Sequence, residues 1–444
     1  MPDEVNDLKG ITHMKDKILA SLKRLNIEEY FINITSYKSA QMFFIKKSLD
    51  TKRAENTISY NVNVFRTFEK GDKKMKGNSS VYIYNGMTDD EVDAAIKRAY
   101  LAASFVNNPT YELMESKENK FVTMESDLNN YSLEDCCEKV SEALFAEDNR
   151  SDVFINSAEV FAYENKVQLI SSTGIDSGYV KRYISGEFVA QCKEPQDVET
   201  YKDFRYYTLD TEALKDKVRK TLDYTLERAK ATEAPKAGKY RVIISDSYVG
   251  EVLGYYPGRA HVGYIFAKYS TYEIGQNVQS LDAEGETAEI KGDKVSMKLL
   301  PDEPLSGEGI WYKEREFMDE GVLKTYHGGV RFSRYLGVEP IGDYYRYKVD
   351  PGSMSVEDMK KKPYLWVVNF SDFQMDDFTG HFGGEIRLAF LFDGEKVTPV
   401  TGGSINGSIL ESQTNMYLSK ETQREADFEG PYAMMFEDVP VAGI

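Results

Sequence analysis

The histidines of this sequence are the first residues to consider, because imidazole nitrogen is the usual zinc ligand of metalloproteases. There are four, His13, His261, His327 and His381, in a chain of 444 residues. No two of them are close enough in sequence to share one face of a helix, so a His-Glu-x-x-His pair is absent. A zinc site built from three distant histidines is left open.

Acid–base chemistry has one dense candidate, the segment from Asp376 to His381. It contains Asp376, Asp377 and His381, but adjacent carboxylates usually point in different directions. Gly380 and the polar residues around it are typical of a turn between strands. A polar turn is therefore the preferred interpretation, and a stand-alone hydrolase site around these three residues is the alternative.

Nucleophilic chemistry is only weakly indicated. Cys136 and Cys137 lie in a predicted helix with no histidine nearby in sequence, which favours ordinary buried thiols. The sequence has no Gly-x-Ser-x-Gly elbow of a serine hydrolase. Its glycine-rich segment 402–408 lacks the lysine of a phosphate-binding loop. These residues on their own indicate a multidomain protein without an evident active site.

The charge balance argues against one large class of partners. A total of 55 basic and 73 acidic residues gives a formal charge of −18, which repels phosphate backbones and disfavours nucleic-acid binding. Three cysteines, the third being Cys192, do not form a disulfide framework and fit a reducing compartment. No apolar run predicts a membrane span, and the acidic first seven residues do not resemble a signal peptide. We therefore expect a cytoplasmic protein without a membrane partner.

Local helix signals are clear in the first half of the chain. Thr88 with Glu91, and Ser132 with Asp135, are spaced so that helices are predicted to begin at these positions. A third, long amphipathic helix is predicted from about Thr211 to Ala231. Long helices are therefore expected to alternate with strands in this half.

Strand signals come from the alternation of apolar and polar residues. The stretch from Val153 to Ile170 is predicted to hold short strands with a turn at Glu164–Asn165. The stretch from Tyr179 to Ala190 is predicted to be a strand pair that turns at Ser185–Gly186.

A domain boundary is predicted at 232–238, a short polar segment with Pro and Gly directly after a helix. Beyond it apolar runs become short, and Asp393–Gly394 predicts a hairpin. The predicted fold class is α+β, with antiparallel strands and long helices in the N-terminal half and a mostly β C-terminal half. The predicted domains are residues 1–232 and 239–444, and a further division of the first into 1–110 and 111–232 is left open.

Four stretches carry a resemblance to a known family, two in each half of the chain. They are Ser59–Phe65, Ser171–Gly174, Phe317–Tyr326 and Phe378–Gly407. Their order and spacing, between about Met14 and Ile409, resemble the TldD/PmbA family. Members of that family are metalloprotease-related proteins once called modulators of DNA gyrase.

The family pairs two kinds of subunit, and the resemblance implies which kind this chain is. In the TldD kind a His-Glu-x-x-x-His helix and a distant cysteine hold the metal, and the PmbA/TldE kind lacks them. The matching helix is expected near Ser247–Arg259, after a strand at Tyr240–Ile244. Two registers are open for its three motif positions: Gly254, Tyr255 and Arg259, or Gly250, Glu251 and Tyr255. Neither supplies a histidine and no cysteine follows Cys192, so this chain resembles the PmbA/TldE kind.

The resemblance implies a subunit without a metal of its own, with zinc expected only in a TldD-like partner. Paired with that partner or with a second copy of itself, such a subunit would enclose a cavity in which unfolded peptides are degraded or modified peptides matured. A β-rich half accepts an extended peptide by strand addition. Four residues are expected to face the cavity: Tyr255, Tyr256, Arg259 and His261. A peptide-binding regulatory module without hydrolysis is left open as a different class.

Overall fold

Long alternating strands and amphipathic helices build the N-terminal part of the chain in the computed structural model, which describes the backbone of residues 2–443 and the side chains of residues 13–443. Met1 and Ile444, the outer ends of the two predicted domains, and the side chains of the acidic first seven residues lie outside this range. The helices are α1 (Pro2–Arg24), α2 (Asp89–Ala103), α3 (Leu133–Ala146) and α4 (Thr211–Lys230). The strands are β1 (Glu29–Ile45), β2 (Ser48–Lys70), β3 (Lys73–Ile83), β4 (Asn108–Pro109), β5 (Phe121–Thr123), β6 (Val153–Ser171), β7 (Asp176–Cys192) and β8 (Val198–Tyr206).

Side-chain caps determine where these helices begin. The Thr88 hydroxyl accepts from the Glu91 N–H, and the Glu91 carboxylate accepts from the Thr88 N–H at 2.8 Å. Ser132 and Asp135 form the same reciprocal pair before α3. Both predicted helix starts are confirmed, because each cap satisfies backbone donors that have no partner within the helix.

One sheet unites the N-terminal strands, in the order β4-β3-β2-β1-β6-β7-β5, and β8 also pairs with β7. The order helix, three strands, helix occurs twice, as α1-β1-β2-β3-α2 and as α3-β6-β7-β8-α4. The two units meet where β1 pairs antiparallel with β6. The helices cover one face of the sheet, where they bury Val62 in the first unit and Phe188 in the second. The opposite face, called the open sheet face below, is directed toward the C-terminal part.

Two turns predicted in this sheet are wrong, because the strands run straight through both positions. The pairing of β6 with β1 and β7 continues through Glu164–Asn165, and β7 continues through Ser185–Gly186. Gly186 is required by close packing, since a Cβ there would lie 2.5 Å from the Phe204 ring. The chain turns instead between β6 and β7, where Gly174 has a φ of 90°.

The C-terminal part consists of short strands and short helices. Its strands are β9 (Gly238–Ser245), β10 (Met297–Leu300), β11 (Arg315–Asp319), β12 (Val322–Leu323), β13 (Arg346–Val349), β14 (Tyr364–Met375), β15 (His381–Phe392), β16 (Val397–Val400), β17 (Ser404–Ser408), β18 (Tyr417–Leu418), β19 (Thr422–Arg424), β20 (Phe428–Pro431) and β21 (Ala433–Ala442). Its helices are α5 (Ser247–Leu253), α6 (Tyr255–Arg259), α7 (Val262–Phe266), α8 (Val330–Leu336), α9 (Val356–Met359) and α10 (Ile409–Ser412).

These C-terminal strands form two sheets around one apolar core. The sheet orders are β12-β11-β10-β13-β20-β19 and β14-β9-β21-β17-β15-β16, with β18 on β21. Phe317 from the first sheet and Phe436 from the second belong to the same buried cluster. The predicted hairpin is confirmed between β15 and β16, where Asp393 Oδ1 accepts from the Lys396 N–H at 2.9 Å. The α+β class and the mostly β C-terminal half are confirmed as well.

The two parts of the chain meet along the open sheet face and at the edge strand β8, where Lys202 lies on the helix-covered face. At one contact, Phe31 of β1 and Leu305 of the C-terminal part belong to one apolar cluster. At a second contact, Lys202 of β8 lies 3.0 Å from the carboxylate of Asp246. A cleft opens beside this second, polar contact. Within residues 2–443, no helix is both long enough and apolar enough to cross a bilayer.

Candidate functional site

The helix expected after the first C-terminal strand is present, and Gly254 divides it into α5 and α6. Strand β9 ends at Ser245, so the helix follows it almost directly. The Gly254 N–H donates to the Gly250 carbonyl at 2.8 Å, and the Gly258 N–H donates to the Gly254 carbonyl at 3.0 Å. Hydrogen bonding therefore continues across the division, and the motif positions of both registers lie on consecutive turns.

A strained residue, Asp246, precedes this helix. Its φ of 68° and ψ of −148° fall in a region that essentially only glycine adopts without cost. Three contacts hold it there: the ammonium group of Lys202 at 3.0 Å, the Tyr432 carbonyl that accepts its N–H at 2.9 Å, and the Gln423 amide that donates to its carbonyl at 2.8 Å. Burial alone would raise the pKa of Asp246, but Lys202 and Lys217 outweigh burial and hold that pKa below its usual range.

Aromatic rings fill the space beside the two glycines at the motif positions. A Cβ on Gly250 would lie 2.9 Å from the Phe428 ring, and a Cβ on Gly254 would lie 3.1 Å from the Tyr347 hydroxyl. Tyr347 also donates a hydrogen bond to the Gly250 carbonyl. A histidine at either glycine would therefore require these rings to move.

The donor set at the motif positions does not fit zinc. Glycine offers no side chain, Arg259 is a cation, and Tyr255 is buried in the core. Of the histidines, His13 and His381 are exposed at separate places, on α1 and at the start of β15. Over the whole described part of the chain, no group of three or more His, Cys, Asp or Glu side chains is arranged to hold a metal ion.

Restoring a motif histidine is expected to destabilise the fold. Gly250→His should lower the free energy of unfolding by about 1–3 kcal/mol, the usual cost of overpacking, because its Cβ meets the Phe428 ring. Chemical denaturation measures the loss, with Glu251→His at the neighbouring exposed position as the matched control. The cost of Gly250→His should shrink in a Phe428→Ala background. Equal stability of the two histidine variants would contradict this packing account.

A cleft of about 560 Å³ opens between α5 and the open sheet face. Both parts of the chain line it, together with the cation Arg205, and seven of the lining residues carry carboxylates or exposed rings: Glu187, Tyr201, Asp203, Glu251, Tyr345, Glu425 and Asp427. The cleft thus combines negative charge with aromatic surface.

Glu251 is the motif position that faces the cleft. Its side chain is exposed to the cleft, yet the surrounding protein displaces enough water to raise its pKa to about 7. Desolvation is the main cause, Lys202 opposes it, and Asp203 adds to it. A carboxyl with a pKa near 7 exchanges a proton readily at neutral pH. The cleft can therefore attract a cation and change its own charge within the physiological range.

Two of the four residues expected to face a cavity lie in the core instead. Tyr255 and Tyr256 are buried, and the Tyr256 hydroxyl donates to Gln413 Oε1 at 2.8 Å. Arg259 lies between the rings of Tyr255 and Tyr272, about 6 Å from each centroid. The short helix α6 is covered by the C-terminal core, so its side chains do not reach the cleft.

His261, the fourth of these residues, is half-buried and forms part of a histidine network. His261 Nδ1 accepts from the Gly263 N–H at 3.1 Å, so Nε2 carries the proton and donates to Asp343 at 2.9 Å. His327, buried beside it, accepts the Tyr344 N–H at Nδ1 and donates from Nε2 to the Pro257 carbonyl at 2.9 Å. Both nitrogens of each ring are therefore used in hydrogen bonds that connect neighbouring segments of the chain.

The segment around Asp376, Asp377 and His381 forms the turn between β14 and β15. Asp376 Oδ1 accepts from two backbone N–H groups at 2.8 and 3.2 Å, as an Asx turn does. Asp377 is half-buried, and burial followed by the nearby Asp376 raises its pKa. His381 is exposed at the start of β15. The polar-turn interpretation matches this geometry, because Asp376 Oδ1 already accepts hydrogen bonds from the backbone N–H groups of the turn.

The cysteines are ordinary buried thiols. Cys136 and Cys137 face the core of the second N-terminal unit from α3, and Cys192 ends β7 in the same core. Burial raises the pKa of Cys137 to about 12, which suppresses the reactive thiolate.

Sequence reasoning missed the residues of the cleft wall, Glu187 and Asp203 above all. A signal was present: with β7 read as one continuous strand, alternation places Glu187 on the same face as Tyr183 and Ser185. The predicted turn at Ser185–Gly186 interrupted that alternation and hid the polar face.

The C-terminal part matches a known family in sequence. Residues 237–443 match the family model described as the PmbA/TldA metallopeptidase C-terminal domain. No curated protein sequence matches the chain.

Similar solved structures extend over nearly the whole chain. A proposed modulator of a DNA gyrase from Thermotoga maritima MSB8 has a TM-score of 0.76 at 14% identity, with 97% of this chain and 100% of that chain covered. TldE from Thermococcus kodakarensis has a TM-score of 0.72 at 14% identity, with the same coverage. A proposed modulator of DNA gyrase from Bacteroides thetaiotaomicron has a TM-score of 0.74 at 14% identity, with 97% and 99% covered. These likenesses establish the fold, and the family-model match shows that residues 237–443, the C-terminal part, belong to the PmbA/TldA metallopeptidase family.

Proposed function

We propose that this chain is a non-catalytic subunit of a TldD/TldE-type metalloprotease, and that it binds unfolded or modified peptides for a zinc-holding partner. The observation that carries the proposal is the packing at the motif positions. Phe428 and Tyr347 occupy the space into which side chains at Gly250 and Gly254 would project. With these rings in place, the first histidine position of either register has no room for a metal ligand.

The cleft beside the same helix supports a peptide-binding role. It is open, has a volume of about 560 Å³, and is lined by residues from both parts of the chain. Strand β8 forms one wall, and among the strands of residues 2–443 it pairs with β7 alone, which leaves the open edge that strand addition by a peptide requires. We place this role in the cytoplasm, in an assembly with a TldD-like subunit or with a second copy of this chain.

A mixing experiment tests the proposed function. The purified chain, a TldD-like subunit with an intact His-Glu-x-x-x-His helix, and their mixture are each incubated with an unfolded peptide, and cleavage is followed by mass spectrometry. We expect cleavage by the mixture to exceed the sum of the separate rates. Replacing the glutamate of the partner's motif with glutamine should abolish cleavage by the mixture, because the proposal assigns the catalytic step to the partner.

Two outcomes would replace this proposal with one of its alternatives. Cleavage by the isolated chain, with stoichiometric zinc that is lost on His381→Ala, would indicate a stand-alone hydrolase around the 376–381 turn. Peptide binding by the chain with no effect on the partner's rate would indicate a regulatory module.

A further inference from the structure

A recess of about 530 Å³ lies next to the cleft, at the outer edge of β8. Its other walls come from α4, α5 and the paired strands β14 and β15. Two arginines from different walls line it, Arg228 near the end of α4 and Arg387 in β15. The recess therefore brings together two positive charges that are far apart in the sequence.

Arg228 is a half-buried cation without an acidic partner. One of its N–H groups donates to the Glu199 carbonyl, and among residues 13–443 no carboxylate lies within ion-pair distance of its guanidinium. Burial, followed by the nearby Arg387, lowers the pKa of Arg228. Arg387 has only a largely exposed partner, Glu385 at 3.4 Å. A buried cation beside another cation is unfavourable, and an anion in contact with both guanidinium groups would compensate them.

Alternation along β8 separates the charges that line the recess. Thr200 and Lys202 lie on the helix-covered face of β8, the face that α4 and Arg228 cover. Glu199 and Asp203 lie on the opposite face, the open sheet face. The α4 side of the recess is therefore its basic side.

A buried hydroxyl on this basic side has no partner. Thr200 lines the recess and is 4% exposed, and its Oγ1 has no hydrogen-bond partner among the described residues. Most buried hydroxyls in folded proteins are hydrogen-bonded, and an unsatisfied one is costly. This observation is independent of the charges, and it too indicates that a polar ligand belongs on the α4 side.

A carboxylate matches these groups. Guanidinium groups bind carboxylates through two parallel hydrogen bonds, and a hydroxyl can donate one more. Asp203 and Glu251 also line the recess, so a singly charged carboxylate is favoured over a doubly charged phosphate. A peptide paired antiparallel with the edge of β8 would place its carboxyl terminus near Val198, where β8 begins and Arg228 contacts the Glu199 carbonyl.

We propose that the recess binds a carboxylate group of the peptide, held by Arg228 and Arg387 with the Thr200 hydroxyl as a further donor. The carboxyl terminus and an acidic side chain are the two sources of such a group. The proposal rests on the proposed peptide-binding role and names the class of peptide that the chain holds.

Four labelled peptides of one unfolded sequence test the recess, by fluorescence anisotropy with the isolated full chain. Their carboxyl terminus is free or amidated, and their penultimate residue is glutamate or glutamine. We expect removal of the recognised carboxylate to weaken binding about tenfold at low salt, and the difference to shrink at high salt. A loss on amidation assigns the carboxyl terminus, and a loss on exchange of glutamate for glutamine assigns the side chain.

Variants of the two walls locate the effect. Arg228→Gln and Arg387→Gln should each remove the preference for the carboxylate and leave binding of the amidated glutamine peptide unchanged. Arg98→Gln, at an exposed position of α2, is the matched control and should keep the preference. Thr200→Val preserves the side-chain shape and should weaken only the carboxylate peptide, about fivefold.

Thermal unfolding of each variant separates binding from folding. Arg228→Gln also removes the contact with the Glu199 carbonyl, whereas Arg387→Gln breaks only a largely exposed pair and should leave the unfolding temperature unchanged. A loss of affinity by the same factor for all four peptides would show that these arginines support the fold, and it would overturn the proposal.

The failures of the two proposals are distinguishable. Equal binding of all four peptides by the wild type overturns the carboxylate site alone. No binding of any of them overturns the peptide-binding role with it.

Discussion

Replacing Lys202 with methionine is expected to lower the free energy of unfolding by about 3 kcal/mol, because breaking a largely buried ion pair leaves Asp246 without its nearest counter-ion. Lys202 comes from the N-terminal sheet and lies 3.0 Å from Asp246, at the start of the motif helix. Methionine preserves the length of the apolar stem, so the loss reports the charge. Urea denaturation followed by circular dichroism measures it.

An exposed ion pair provides the control for this experiment. Lys230→Met removes the partner of Glu227 from an exposed turn of α4, where the change should cost less than about 1 kcal/mol. In the Lys202→Met/Asp246→Asn double variant, part of the loss should be recovered, since no charge is then left buried. A Lys202→Met loss as small as that of Lys230→Met would mean that the contact between the N-terminal and C-terminal parts does not depend on this pair.

The sign of the pH effect on the Lys202–Asp246 pair follows from the lowered pKa of Asp246. A carboxyl with a depressed pKa in the folded state stabilises the fold above its unfolded-state pKa of about 4. That contribution is lost as the pH falls toward the folded-state pKa and Asp246 is protonated. The Lys202→Met variant should lack this part of the acid sensitivity.

Acidification from pH 7 to pH 4 is expected to destabilise the protein by roughly 3 kcal/mol through His327 alone. Burial lowers the pKa of His327 to about 4, and the neighbouring His261 adds to that effect, while the Pro257 carbonyl and Asp343 oppose it. The unfolded chain takes up a proton near pH 6.5, before the folded chain does. Stability therefore falls as the pH drops below about 6.5, and this contribution levels off below pH 4.

Two glutamine variants separate His327 from the other titrating groups. His327→Gln keeps an N–H donor for the Pro257 carbonyl and removes the titration, so its unfolding free energy should fall less between pH 7 and pH 4. His381→Gln, at an exposed position, should retain the wild-type slope. A His327→Gln curve that runs parallel to the wild-type curve would show that the buried imidazole does not control the acid response.

Local signals predicted the helix starts of this fold, and nonlocal pairing decided its strands. The Thr88–Glu91 and Ser132–Asp135 caps act within one turn, so the sequence shows them directly. The long strands β6 and β7 pass through Glu164–Asn165 and Ser185–Gly186 because partners on both sides pair with them there. Those partners are distant in sequence, and turn propensity alone favoured the wrong answer.

The candidate site was likewise predicted only in part: its helix was predicted, and the residues brought to it by nonlocal contacts were not. Family resemblance predicted the helix at Ser247–Arg259, since it follows a recognisable strand. It did not predict that Phe428, far along the chain, packs against Gly250. Nor did it predict that Glu187 and Asp203 lie opposite one another, because that depends on the pairing of β7 with β8.

The shared ladder of β1 and β6 has a mechanical consequence for the cleft. The two N-terminal units cannot hinge against each other without breaking main-chain hydrogen bonds along that whole ladder. The sheet is thus expected to move as one body, and the segment 231–237 between α4 and β9 connects it to the C-terminal part. Widening of the cleft would therefore require the C-terminal part to move as a body relative to this sheet, which would separate Lys202 from Asp246.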